Sequence, residues 1–151
     1  PDDIVGIQSL YGPLTVACAG RAVTVDLGRG QVPTAGPDVI LGTAGPDTIA
    51  GGAGADIVCG TAGPDTIDPG GGADQVVGGA GADVIYGRSG ADRLDGGDGN
   101  DRLLAGDDDD QLYGGAGADA LDGGAGADRL YAGSQSDRCN GRGGHDAVRH
   151  A

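Results

Sequence analysis

Gly78-Gly79-Ala80-Gly81-Ala82-Asp83-Val84-Ile85-Tyr86 is one nonapeptide of this chain, and the sequence on both sides of it repeats the same plan. Its aspartate recurs as Asp38, Asp47, Asp56, Asp65, Asp74, Asp83, Asp92, Asp101, Asp110, Asp119, Asp128, Asp137 and Asp146, thirteen positions each nine residues after the last. The window 33–149 holds 20 Asp, so an even spread over nine phases would place about two in this one. Two residues after each of these aspartates stands an apolar side chain: Ile40, Ile49, Val58, Ile67, Val76, Ile85, Leu94, Leu103, Leu112, Leu121, Leu130, Cys139 and Val148. Two residues before each stands Gly, except at Asp108 and Gln135.

Outside this register the composition reads as that of a chain that cannot fold. Among 151 residues there are 35 Gly and 7 Pro, no Phe and no Trp, and the net charge is −14. Every acid is Asp and every base is Arg. Few large apolar residues with strong single-sign charge cannot bury enough surface to fold alone in water. A strict register contradicts disorder, and the conflict is itself informative. The same composition excludes several classes. No run of about 20 apolar residues is present to span a membrane as a helix. No basic patch is present to capture nucleic acid, and the glycines do not keep the period of three that collagen needs.

The nonapeptide has two parts. Positions one to six (Gly78 to Asp83) are rich in Gly and Ala, and such a segment takes left-handed backbone angles at little steric cost and turns carbonyls inward. Positions seven to nine (Val84, Ile85, Tyr86) read as a very short strand whose middle residue points opposite to its neighbours. One nonapeptide is a turn plus a strand, and two close an 18-residue coil with a strand on each side. Stacked coils make an all-β fold, a parallel β-roll of 13 nonapeptides, with the position-eight residues of both sheets meeting inside.

The pattern GGxGxDxUx, with U a large apolar residue, resembles the RTX (repeats-in-toxin) calcium-binding nonapeptide-repeat family over residues 33–149. The resemblance implies calcium between turns one coil apart on the same side, held by two Asp carboxylates and several turn carbonyls. Carried onto this chain, Asp38 pairs with Asp56, Asp47 with Asp65, and so on in 18-residue steps to Asp128 with Asp146. The carbonyl donors it implies include those of Gly42, Gly45, Gly51, Gly54, Gly60, Gly63, Gly78, Gly81, Gly96, Gly99, Gly114, Gly117, Gly123 and Gly126. Seven turns on one side and six on the other leave about eleven inter-turn sites. The chemistry agrees: flexible all-oxygen sites suit calcium, magnesium wants tighter octahedra and keeps its waters, and zinc would want periodic Cys or His. Stacked Asp columns repel one another without a cation, so the reading expects folding coupled to calcium binding.

Some turns depart from the pattern. Those ending at Asp38, Asp47 and Asp65 carry Thr at position two and Pro at position five, and because proline keeps its carbonyl the carbonyl cage is expected to survive. Asp107-Asp108-Asp109-Asp110 replaces the position-four glycine with Asp, read either as extra carboxylate for calcium or as a solvated acidic loop. Gln135 does the same before Asp137, and the sites built on these two turns are expected to be irregular.

Residues 1–32 form a separate N-terminal segment ahead of the roll at 33–149, with a tail at 150–151. PDDIVGIQSLYG (1–12) reads as a short amphipathic helix, with Asp2 and Asp3 in its first turn, Ile4, Ile7 and Leu10/Tyr11 on one face, and Gly12-Pro13 ending it. The dodecamer also resembles the last helix of the matrixin-type zinc metalloprotease domain, which would imply a protease domain upstream; a generic capping helix is the other reading. Residues 22–27 alternate like a strand and are expected to form a calcium-free first coil. No protease chemistry comes with the resemblance, because the chain has no Glu and no Met and its only His are His145 and His150. Ser9, Ser89, Ser134 and Ser136 lack a His/Asp framework, so the chain is not read as an enzyme.

Cys139 falls on a core position, where a thiol acts as a small hydrophobe. Cys18 and Cys59 lie outside that register, and Cys59 should face outward toward a flanking segment. A Cys18–Cys59 disulfide fits an oxidising compartment, with 59–139 and 18–139 left open. Abundant extracellular calcium makes a secreted, calcium-folded structural module the leading function. The alternative is a calcium-dependent self-assembling or adhesive surface protein, stacking head-to-tail through uncapped ends. The outward row Val39, Thr48, Ile57, Thr66, Gln75, Val84, Arg93 is too irregular for ice binding. Tyr113 and Tyr131 fall on adjacent coils of one sheet as a stacked pair rather than a sugar platform, with Tyr86 on the other sheet.

Overall fold

The computed structural model describes residue 21 and residues 23–149. Within them, parallel strands form two facing sheets. The first runs β1 (Val25–Asp26), β2 (Val39–Leu41), β4 (Ile57–Ala62), β6 (Gln75–Ala80), β8 (Arg93–Asp98), β10 (Gln111–Ala116), β12 (Arg129–Tyr131) and β14 (Ala147–Arg149). The second runs β3 (Thr48–Ala53), β5 (Thr66–Gly71), β7 (Val84–Ser89), β9 (Arg102–Asp107), β11 (Ala120–Ala125) and β13 (Arg138–Asn140). The chain alternates between the sheets, so each strand pairs with the one a coil away. Val76 lies against Leu94 and Ile85 against Leu103, both 18 residues on. This is the parallel β-roll that the period of nine predicts.

The inward column of the first sheet is Val25, Ile40, Val58, Val76, Leu94, Leu112 and Leu130, and that of the second is Ile49, Ile67, Ile85, Leu103 and Leu121. All are buried, and part-buried Cys139 extends the second column. Stacked medium-sized side chains thus fill the core. Most strands are twice as long as the predicted three residues. Positions one to three of the next nonapeptide continue the pairing, as in Gly97 against Gly115 and Gly106 against Gly124.

Outward positions are exposed or part-buried, with one exception. Ile57 and Cys59, on either side of inward Val58, are buried too, and they pack with Val39 and Leu41 in a second apolar cluster on the outer face of the first sheet. Farther along that face, the Tyr113 and Tyr131 rings stack at 4.7 Å and 4°. The Arg93 guanidinium lies 4.2 Å from the Tyr113 ring centroid and donates to its hydroxyl. Tyr86 lies on the opposite sheet, under Arg88.

Cys139 is a free thiol, which removes both disulfides that would use it. The N-terminal helix at 1–12, its matrixin-like reading, Cys18, His150 and the tail at 150–151 lie outside the described residues. Of the strand expected at 22–27, Val25–Asp26 pairs with β2 and Leu27–Arg29 forms a 3-10 turn. No helix among the described residues is long and apolar enough to cross a membrane.

Candidate metal sites in the turns

Each strand is entered through the aspartate that closes a turn, so the thirteen aspartates line up in two columns along the flanks of the roll. Within a column the contact is regular. The backbone N–H of each Asp donates to Oδ1 of the Asp 18 residues later, from Asp38 to Asp56 (2.8 Å) and Asp47 to Asp65 (2.9 Å) through Asp119 to Asp137 (3.0 Å) and Asp128 to Asp146 (3.1 Å). All eleven pairs anticipated from the 18-residue step are brought together this way.

The second carboxylate oxygen has a different fate. Oδ2 of Asp56, Asp65, Asp74, Asp83, Asp92, Asp101, Asp110, Asp119 and Asp128 is buried without a hydrogen-bond donor. These oxygens fold back over their own turns onto the position-one residue. A methyl group on Gly51 would sit 2.7 Å from Asp56 Oδ2, and one on Gly87 2.6 Å from Asp92 Oδ2. A buried carboxylate oxygen with no donor is unfavourable by several kcal/mol unless it meets a proton or a cation.

Backbone carbonyls supply the rest of the cradle. Positions two and four have positive φ, as at Gly79 (117°) and Gly81 (144°), or Gly97 (102°) and Gly99 (140°). At position four the Gly54 carbonyl oxygen occupies the space a side chain on Gly72 would need, and Gly81 does the same beneath Gly99. Position two repeats this, with the carbonyls of Thr61 and Gly79 under Gly79 and Gly97. The position-two carbonyls were absent from the donors inferred from sequence. Their signal was the glycine there in eight of the thirteen turns, which marks a backbone requirement rather than mere flexibility.

The two turns whose sites were expected to be irregular keep a regular backbone. Asp108 (φ 82°) and Gln135 (φ 92°) take the glycine conformation at position four, so the turns before Asp110 and Asp137 keep the common path. Asp108 Oδ2 accepts from the Gly90 N–H at 3.1 Å and Asp109 Oδ1 from the Ala127 N–H at 2.8 Å. The acidic run therefore ties its turn to those one coil before and after. Of the three Thr/Pro turns, only the third takes this path. Thr61 (φ 91°) and Gly63 (101°) follow the common path, whereas Thr34, Gly36, Thr43 and Gly45 do not have positive φ.

Electrostatics agree with the geometry. Burial raises the carboxyl pKa of Asp92 and Asp110 to about 7 and of Asp65 and Asp101 to about 6. The backbone N–H bond opposes the shift, and carboxylates of adjacent turns reinforce it. Asp56, Asp74, Asp83, Asp119 and Asp128 are raised for the same first reason. Among the described residues no three His, Cys or Asp side chains converge on one point. Any cation here is held by carboxylates together with main-chain carbonyls, a hard all-oxygen set.

A family model described as the RTX calcium-binding nonapeptide repeat matches in four copies, over residues 33–67, 68–103, 95–129 and 113–148. The chain belongs to the RTX family. No curated relative matches it. RTX repeats bind calcium, and an RTX roll is structural rather than catalytic. The turns of this chain fit that ion: the donor-free Oδ2 atoms are hard anionic oxygens, and the glycines at positions two and four leave the inter-turn space to carbonyls.

Proposed function

We propose that residues 33–149 are the calcium-folded module of a secreted protein, preceded by a segment at 1–32 and followed by a tail at 150–151. The observation that carries the reading is the set of buried Asp Oδ2 atoms without donors. In water they would be solvated and mutually repelled, so the metal-free chain favours the open state. Calcium supplies the missing positive partner to carboxylates at Asp56, Asp65, Asp74, Asp83, Asp92, Asp101, Asp110, Asp119 and Asp128, with carbonyls of adjacent turns completing each shell. Where calcium is scarce, as inside a cell, the chain stays open and exportable. Outside, it closes into a rigid roll that stabilises or presents the protein it belongs to. Small-angle scattering tests this: in chelator the radius of gyration should approach the roughly 40 Å of an unfolded chain of this length, and calcium but not magnesium should collapse it. A compact particle in chelator would contradict the reading.

Cys59 sits buried beside Ile57 on the outer face of β4. We propose that it is bridged to Cys18, which ties the N-terminal segment to the roll and fits an oxidising compartment. Mass mapping of a non-reduced digest should yield the Cys18–Cys59 pair, and alkylation of both thiols without reductant would refute it.

A second reading is head-to-tail self-association, as in an adhesive or filamentous surface protein. It is favoured by the last coil, where Val148 is 42% exposed and β14 has no buried residue. Light scattering should then show growth on calcium addition, and a monomer would exclude it.

A further inference from the structure

The coil formed by the turns ending at Asp38 and Asp47 differs from every later coil in backbone path and in what holds the aspartate. We propose that this coil takes no calcium. Thr34 and Thr43 hold the carboxylates of Asp38 and Asp47 that calcium holds elsewhere, and the roll carries nine sites rather than eleven. The inference rests on the calcium reading above and refines it.

The hydrogen bonds are specific. Asp38 Oδ2 accepts from the Thr34 N–H at 2.6 Å and from its Oγ1 at 3.0 Å. Asp47 Oδ2 accepts from the Thr43 N–H at 2.6 Å and from its Oγ1 at 3.0 Å. The Gly36 and Gly45 N–H groups donate to the two threonine hydroxyls at 3.2 and 3.3 Å, which fixes their rotamers. Each turn is closed by its own side chain, and the oxygen left donor-free in later turns is here satisfied twice.

These bonds require the position-two N–H to point inward, which a positive φ would prevent. Thr34 and Thr43 accordingly lack it, and so do Gly36 and Gly45. Their carbonyls also stand farther from the next coil: a methyl group on Gly54 or Gly63 would lie 2.9 or 3.1 Å from the Gly36 or Gly45 carbonyl oxygen, whereas one on Gly72 would run into the Gly54 carbonyl oxygen. Thr61, one coil after Thr43, has positive φ, and its hydroxyl donates to the Thr43 carbonyl. The space between those two turns is thus bridged by protein.

Two separate observations converge on nine. Eleven turns, those ending at Asp56 through Asp146, have positive φ at positions two and four. Six lie on one flank and five on the other, which leaves nine inter-turn spaces. Independently, nine Oδ2 atoms of the column are buried without a donor, and they belong to the first turn of each of those spaces.

Native mass spectrometry of the calcium-saturated chain tests the inference. It should show nine calcium ions, with Asp47→Asn still at nine and Asp65→Asn, which borders a single occupied space, at eight. The double variant Thr34→Gly/Thr43→Gly restores glycine at position two and should rise to eleven. Eleven ions in the wild type, or loss of one in Asp47→Asn, would overturn the inference while leaving the calcium reading intact. A double variant that folds and stays at nine would overturn the role of the threonines. No bound calcium at all would remove the calcium reading itself.

Discussion

Gly45 and Gly99 occupy the same position of the nonapeptide and the same place in the sequence pattern, yet they are not equivalent. Gly99 has φ 140° and the Gly81 carbonyl lies where its side chain would go, whereas Gly45 has open space within 4 Å and no positive φ. Gly99→Ala should therefore lose about 1–3 kcal/mol in chemical denaturation at saturating calcium, with Gly45→Ala within about 0.5 kcal/mol of wild type. Equal effects would contradict the two turn conformations. The aspartates give a pH dependence whose sign follows from their raised pKa values. Such a carboxyl favours the metal-free roll below its ordinary value of 3.8 and loses that contribution as pH rises through the folded value, about 7 for Asp92 and Asp110. In chelator the chain should gain β structure on acidification from pH 7 toward 4. With calcium, protons compete, so the calcium midpoint should move to higher concentration between pH 8 and 6. A midpoint independent of pH in that window would show that these carboxylates are not the ligands. At this scale sequence reading was incomplete. Aspartate and glycine positions were visible, but Thr43 and Thr61 share a local sequence and differ in φ, so local sequence does not mark the difference.

The strands owe their existence to one inward side chain every nine residues. Ile85 is fully buried in the middle of its column, and Ile85→Ala should cost about 2–5 kcal/mol. Val148→Ala, at the exposed end of the other column, should cost far less, and calcium-saturated melting curves compare the two. Tyr113→Ala removes the ring stack and the Arg93 contact on a solvent-facing strand, worth about 0.5–1.5 kcal/mol, without altering calcium stoichiometry. The inward columns were legible because period and alternation leave only one apolar residue per strand pointing in. Strand length was not legible. Glycine is depleted in strands, and Gly96-Gly97 gives no local sign that it continues β8. It does so because an identical Gly-Gly lies one coil away to pair with it. Cys59 was placed on the outer face correctly, but its burial there depends on neighbours that its own strand does not specify.

At the scale of the whole chain, composition and periodicity pull in opposite directions. A net charge of −14 and the absence of Phe and Trp argue against a self-sufficient fold, while thirteen aspartates in register argue for a built one. The structure places much of this charge inside the turns, where the proposed calcium would convert repulsion into attraction. Architecture, coil size and carboxylate pairing could be read from the sequence alone, because a nine-residue period admits few solutions. The distinct first coil could not be, since it depends on which oxygens remain without donors once the coils are stacked. The most direct measurement is far-UV circular dichroism during a calcium titration from a chelator-stripped start at neutral pH, with magnesium as control. A coil spectrum that turns cooperatively to β with calcium alone is the predicted result. A β spectrum already complete in chelator would contradict the account, because packing alone would then hold the roll together.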